Sequence, residues 1–216
     1  MLTIIQAAGW PIWPLILCSI VALALIIEKL MSLRRLRVAP PKLLDEVLSV
    51  TRTSLPSADV VSRLGESSLL GSVLAAGMRA MIGDPRLAEA GLRNAFEVAG
   101  REALHRMERY LNTLGSIATA APLLGLLGTV VGMIEIFGAQ TPGASGAANP
   151  AQVAYGISVA LYNTAFGLIV AIPSLMFHRY FRGVINEHRL TMELAAERMV
   201  PQLMRFSIQR PGSPAA

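Results

Sequence analysis

The chemistry this chain can do is concentrated in a few polar residues set inside long apolar runs. Leu111 to Phe137 reads LNTLGSIATAAPLLGLLGTVVGMIEIF and carries no charge before Glu135. An acid at membrane depth costs about 2.5–3.5 kcal/mol on insertion scales, so by default it reads as functional. A carboxyl there could take up and release a proton. The alternative is that Glu135 stands near the outer end of its helix and reaches interfacial water. Thr119 and Thr129 add hydroxyls to the same run. Gly115, Gly125, Gly128 and Gly132 lie among them, and Gly128 with Gly132 forms a GxxxG pair. Small residues let helix backbones approach closely in lipid, so this helix is expected to pack on neighbours.

Other chemistries lack their residues. His105, His178 and His188 have no metal-ligand spacing among themselves or with Cys18, so no metal and no cofactor are expected. A single cysteine cannot build a disulfide framework. No nucleophile constellation or phosphate loop supports an enzyme. Charged residues make up 15% of the 216, where about 25% is usual, and 53% are hydrophobic. The apolar residues lie in blocks, which is the pattern of a membrane protein. The net charge of +5 is then a matter of topology, and nucleic acid is not an expected partner.

The elements that must position these groups follow in order. Met1 to Ile27 is uncharged and lacks the basic start and cleavage site of a signal peptide. It reads as a first transmembrane helix over roughly Ile12–Leu30, with Trp10 and Trp13 at the interface and Pro11 and Pro14 in the first turn. Glu28-Lys29 invites a local ion pair, and Arg34, Arg35 and Arg37 mark the cytoplasmic side. Residues 1–33 thus form an outside N-terminus and first span, and 34–110 a cytoplasmic helical region. Within it Leu43, Leu44, Val47 and Leu48 share one face of a short helix, and one or two helices follow over Ser57–Met81. Asp84 and Pro85 read as cap and first position of the next helix. Glu89, Arg93, Glu97 and Arg101 make an i,i+4 ladder on it, and Glu102 faces Arg106. With no breaker before Leu111, one long helix is expected to rise into the second span, 111–138, kinked at Pro122. The uncharged loop 139–152 is expected outside, and 153–177 is the third span. A cytoplasmic C-terminal helix, 178–206, carries the heptad seam Phe181, Ile185, His188, Met192, Ala195, Met199. That seam suits either the chain's own helices or a second subunit. Pro201 is expected to disturb this helix, and 207–216 reads as a disordered tail.

Three spans in this order, a large insert after the first, and the strings GLLGTVVGM and ALYNTAFGLIVAIP resemble the MotA/TolQ/ExbB proton-channel family. The ExbB and TolQ branch is closest, because the MotA branch has four spans. The resemblance implies an all-α membrane protein with three transmembrane helices and long helical extensions into the cytoplasm. It implies a homopentamer in a bacterial inner membrane, N-terminus periplasmic and C-terminus cytoplasmic. The second and third helices would line a pore holding single-span ExbD- or TolR-like partners. Proton flow would energise a TonB- or TolA-like protein.

Thr129 in GLLGT and Thr164 in NTAFGL match the family's pore threonines. The family's third helix usually has a glutamate five residues before the second threonine. Here that position holds Val159, which carries no proton. Asn163 lies one helical turn beyond Val159, and its amide can bond water or a partner carboxylate without titrating. Glu135, about 120° around the helix from Thr129, is the expected replacement carboxylate. Ser158 and Tyr162 read as packing, and Gly156, Ala160, Gly167 and Ala171 as a small-residue contact face. A non-conducting scaffold of the same fold fits the missing glutamate. H⁺ and Na⁺, and ExbB-like and TolQ-like roles, stay open, as does the cargo.

Overall fold

The computed structural model describes residues 10–34, 38–138 and 150–207. The first nine residues, Arg35 and Arg37 of the basic cluster, the loop over 139–149 and the tail from 208 lie outside the described residues. Regular structure among the described residues is helical. The elements are α1 (Ile12–Ser32), α2 (Leu43–Thr53), α3 (Ala58–Ser67), α4 (Leu69–Gly83), α5 (Glu89–Glu108), α6 (Leu111–Gly138) and α7 (Pro150–Met204). The chain divides into two compact units. One holds the residues up to Lys29 with Tyr110–Tyr180, and the other Leu30–Arg109 with the residues from Phe181 on.

In the first unit, stretches of α1, α6 and α7 are long and apolar enough to cross a bilayer, with mean hydropathies of 2.2, 2.0 and 1.7. Their core is small. Leu15 of α1 is buried with Ala121 and Ala171, and Leu124 and Val170 pack against them. Large apolar side chains instead cover the outside, from Leu17, Ile20 and Leu23 on α1 to Ile169, Ile172 and Met176 on α7. A water-soluble bundle would bury them. Lys29 is buried, with its ammonium 3.6 Å from the Glu28 carboxylate.

The other unit has an ordinary apolar core. Val47, Val61, Leu70, Leu74, Met78, Leu92, Phe96 and Met107 are buried from α2 to α5. The stretch 57–81 resolves into two helices because Ser68 starts a new one, its hydroxyl accepting from Gly71 N at 3.0 Å. Gly77 lies under the ring of Phe96, where a Cβ would come within 2.1 Å of Cζ. The whole seam Phe181, Ile185, His188, Met192, Ala195, Met199 is buried inside the chain. His188 Nε2 sits 3.3 Å from the Leu33 carbonyl. The seam is thus filled by the chain's own side chains and does not stand open for a second subunit.

Two local expectations are corrected. Asp84 does not cap α5, which begins at Glu89 after Ala88. Asp84 instead makes a turn, accepting Arg86 N at 2.9 Å on Oδ1 and Leu87 N at 3.0 Å on its carbonyl. A short acid that bonds its own backbone two residues on favours a turn as readily as a cap. Nor is the path from α5 into α6 one helix. It breaks at Arg109 and Tyr110, where Tyr110 takes φ of 63°. Arg109 N closes α5 on His105 O at 3.1 Å, and Tyr110 O restarts the ladder by accepting Leu114 N at 3.2 Å. Pro201 does not stop α7, which runs on to Met204.

Candidate functional site

Asn163 and Thr164 lie where α6 and α7 meet. The two helices run antiparallel and touch through residues with little or no side chain. A Cβ on Gly125 would stand 2.8 Å from Asn163 O, 3.0 Å from Thr164 Cα and 3.3 Å from Gly167 Cα. One on Gly167 would meet Ala121 O at 2.6 Å. Gly128 faces the Asn163 side chain, Gly132 faces Ala160, and Gly156 faces Ile136. Backbone lies against backbone at Gly125 and Gly167, an approach that a Cβ on either glycine would block.

This contact orients the polar groups. Thr164 donates its hydroxyl across the seam to Gly125 O at 3.2 Å. Asn163 is 2% exposed and lies over Gly128, whose added Cβ would come within 2.7–2.9 Å of its Cβ, Cγ and Nδ2. Thr129, half-buried, donates to Leu126 O of its own helix at 2.7 Å. Both threonine hydrogens are thus committed, and each oxygen keeps lone pairs for a water or a cation. Val159 is half-buried on the same stretch of α7. Ser158 is exposed and bonds back to Ala154 O at 2.9 Å, and Tyr162 is exposed.

Glu135 stands apart from this cluster. It is exposed, in the last turn of α6, seven residues beyond Gly128. That is about 10 Å along the axis. The seam level therefore has amide and hydroxyl groups and no acid. It can hold water or a cation and cannot itself titrate.

Two features of the pair escaped the sequence reading. Gly115 seats His178, whose Nε2 would lie 3.0 Å from an added Cβ. Carrying the register of Gly125 and Gly167 down both helices would have found this pair. Ser174 is 1% exposed and bonds back to Val170 O at 2.7 Å. Among the described residues, no group of three or more His, Cys, Asp or Glu side chains is placed to hold a metal ion.

A groove of about 900 Å³ lies in the other unit between α5 and α7, lined by Phe96, Leu104, Met107 and Met192 among others. Its rim is ion-paired: Arg93 binds Glu89 at 2.9 Å and also Glu197, and Arg189 binds Glu193 at 2.9 Å. Hydrogen bonds to Glu89 and Glu197 hold the Arg93 guanidinium above its usual pKa. That rim has no group poised for acid–base work.

A sequence model of the MotA/TolQ/ExbB proton channel family matches residues 66–194, which include α5, α6 and most of α7. The ExbB-like 3 biopolymer transport protein of a Synechocystis species is 32% identical over 179 residues, 83% of this chain and 83% of its own length. The biopolymer transport protein exbB1 of Vibrio cholerae serotype O1 is 28% identical over 79% of this chain and 74% of its own. A second Synechocystis relative, ExbB-like 1, is 33% identical over 79% of this chain and 66% of its own.

Proposed function

This chain belongs to the MotA/TolQ/ExbB proton channel family, and from that premise we propose that it is the stator subunit of an inner-membrane complex driven by proton-motive force. The observation that carries this reading is the glycine-locked α6–α7 pair, which holds Asn163 and Thr164 at one level of the helix contact. In the proposed complex the chain forms a homopentamer with an ExbD- or TolR-like single-span partner, and the complex energises a TonB- or TolA-like protein. The N-terminus and the loop 139–152 face the periplasm, and residues 34–110 and 178–206 the cytoplasm. Thr129, Asn163 and Thr164 border the ion path, and Glu135 supplies the titratable carboxylate that Val159 cannot. Biopolymer transport, the activity in the relatives' names, is the role this implies.

The test is reconstitution of the chain with an ExbD-type partner in vesicles holding a pH-sensitive dye. Proton flux that needs both proteins is the expected result. Glu135→Gln should abolish that flux while the complex still assembles. An assembled wild-type complex that carries no flux would instead establish the second reading, a non-conducting scaffold. Val159, and two threonine hydroxyls bonded within the helix pair, are the observations that favour it.

A further inference from the structure

α6 exposes a face unlike those of its neighbours. Asn112, Thr113, Ser116 and Thr119 are all exposed near its Leu111 end, while the glycines at Gly125, Gly128 and Gly132 turn toward α7. Ser116 lies about 7 Å and Thr119 about 12 Å in from Leu111. Further along the same face the exposed residues become Leu123, Leu127, Val130 and Ile134.

The neighbours at the same depth give the comparison. Gly115 against His178 and Gly125 against Gly167 set the depth scale on α7. At the level of Ser116 and Thr119 α7 exposes Leu175 and Met176, with Ile172 just deeper, while at the level of Asn112 and Thr113 it exposes Arg179 and Tyr180. The contact of Leu15 with Ala121 and Ala171 sets the scale on α1, which exposes Leu17 and Ile20 there, with Ser19 between them. Acyl chains account for the α1 and α7 faces. They do not account for Ser116 and Thr119 on α6, inward of Asn112 and Thr113 at its polar end. The hydroxyl hydrogens are spent on the helix itself: Ser116 Oγ donates to Asn112 O at 3.0 Å and Thr119 Oγ1 to Ser116 O at 3.0 Å. What Ser116 and Thr119 turn outward is oxygen lone pairs, which suit water or a hydrated cation.

We propose that Asn112, Thr113, Ser116 and Thr119 line a water-filled inlet for a hydrated monovalent cation or proton at the Leu111 end of α6. Leu123 and Leu127 close it, because an apolar constriction excludes water. The inlet lies on a face of α6 away from the Asn163 level, and further copies of the same stripe complete its wall. This rests on the stator reading, since it gives the ion path its half on the Leu111 side.

Single cysteines in a Cys18→Ala background test it, using the assembled complex in vesicles and a positively charged, water-soluble methanethiosulfonate. Only thiols that meet water become reactive thiolate. Ser116→Cys and Thr119→Cys should react at least about 100-fold faster than Ile172→Cys and Leu175→Cys on α7, with Leu123→Cys as slow as those two. Protection of Ser116→Cys and Thr119→Cys to the α7 level, whether by lipid or by a helix of another chain, overturns the inlet. Fast reaction at Leu123→Cys overturns the closure. The expected labelling in a complex without ion flux would refute the stator reading and leave the inlet standing.

Discussion

Gly125→Ala is the sharpest probe of the helix pair. The added Cβ would stand 2.8 Å from Asn163 O and 3.0 Å from Thr164 Cα, where ordinary contact begins at 3.4 Å. Both neighbours are backbone atoms and cannot rotate aside. The helices must part by about 0.6 Å, which stretches the Thr164–Gly125 hydrogen bond from 3.2 Å past the range in which it contributes. Overpacking costs about 1–3 kcal/mol. The lost interhelical bond adds about 0.6 kcal/mol. Alanine's helix propensity returns about 1 kcal/mol. The expected net loss is about 0.6–2.6 kcal/mol. Gly183→Ala is the matched control, since nothing lies within 4 Å of its added Cβ, and it should gain up to about 1 kcal/mol. Unfolding of the purified protein in mixed detergent micelles, followed by circular dichroism, gives both values. Equal stability of Gly125→Ala and wild type would refute the close backbone contact.

Further outcomes follow from other sites. Gly132→Ala meets only the Ala160 methyl at 3.3 Å, so the same unfolding assay should show a loss smaller than at Gly125. Gly77→Ala must displace the Phe96 ring; it should destabilise by about 1–3 kcal/mol, with a change in near-ultraviolet dichroism. Tyr110→Gly should be neutral or stabilising by up to about 1–2 kcal/mol, because glycine meets no steric penalty at φ of 63°. Tyr110→Ile should unfold earlier in the same titration. The Arg93 guanidinium, held above its usual pKa by Glu89 and Glu197, stays charged until the pH exceeds that raised value. Its contribution is complete below the ordinary arginine pKa and should not change between pH 6 and about 9. Whatever Arg93→Ala costs at low salt should shrink in 1 M NaCl, where screening is strong.

Much of the fold could be read from the chain because lipid imposes a simple code. Uncharged runs of some 20 residues mark spans, and the first span differed from its expected end only at Ser32 in place of Leu30. The buried seam from Phe181 to Met199 was equally legible, since a 3.5-residue period needs no tertiary knowledge. The break at Tyr110 was not, because it lies in backbone conformation and a tyrosine gives no sign of a left-handed φ. Asp84 failed for another reason: the same side chain serves caps and turns, and only context chooses. At the candidate site, residue types could be read but partners could not. That Thr164 would spend its hydrogen on Gly125 depends on a helix register that motif spacing does not encode. Glu135 was identified as an acid of the span with a place near the outer helix end as the alternative, and it stands exposed in the last turn of α6, which ends at Gly138.

The glycine-rich contact also bears on heat and motion. Gly125, Gly128, Gly132, Ala160 and Gly167 have no side-chain rotamers to freeze, so at these five positions closing the hairpin forfeits no side-chain disorder. Warming therefore has little hidden disorder to release along that line. If the protein moves while it works, the two helices should travel as a single stiff splint. Slippage would then fall on surfaces where long flexible side chains can trade one resting place for another.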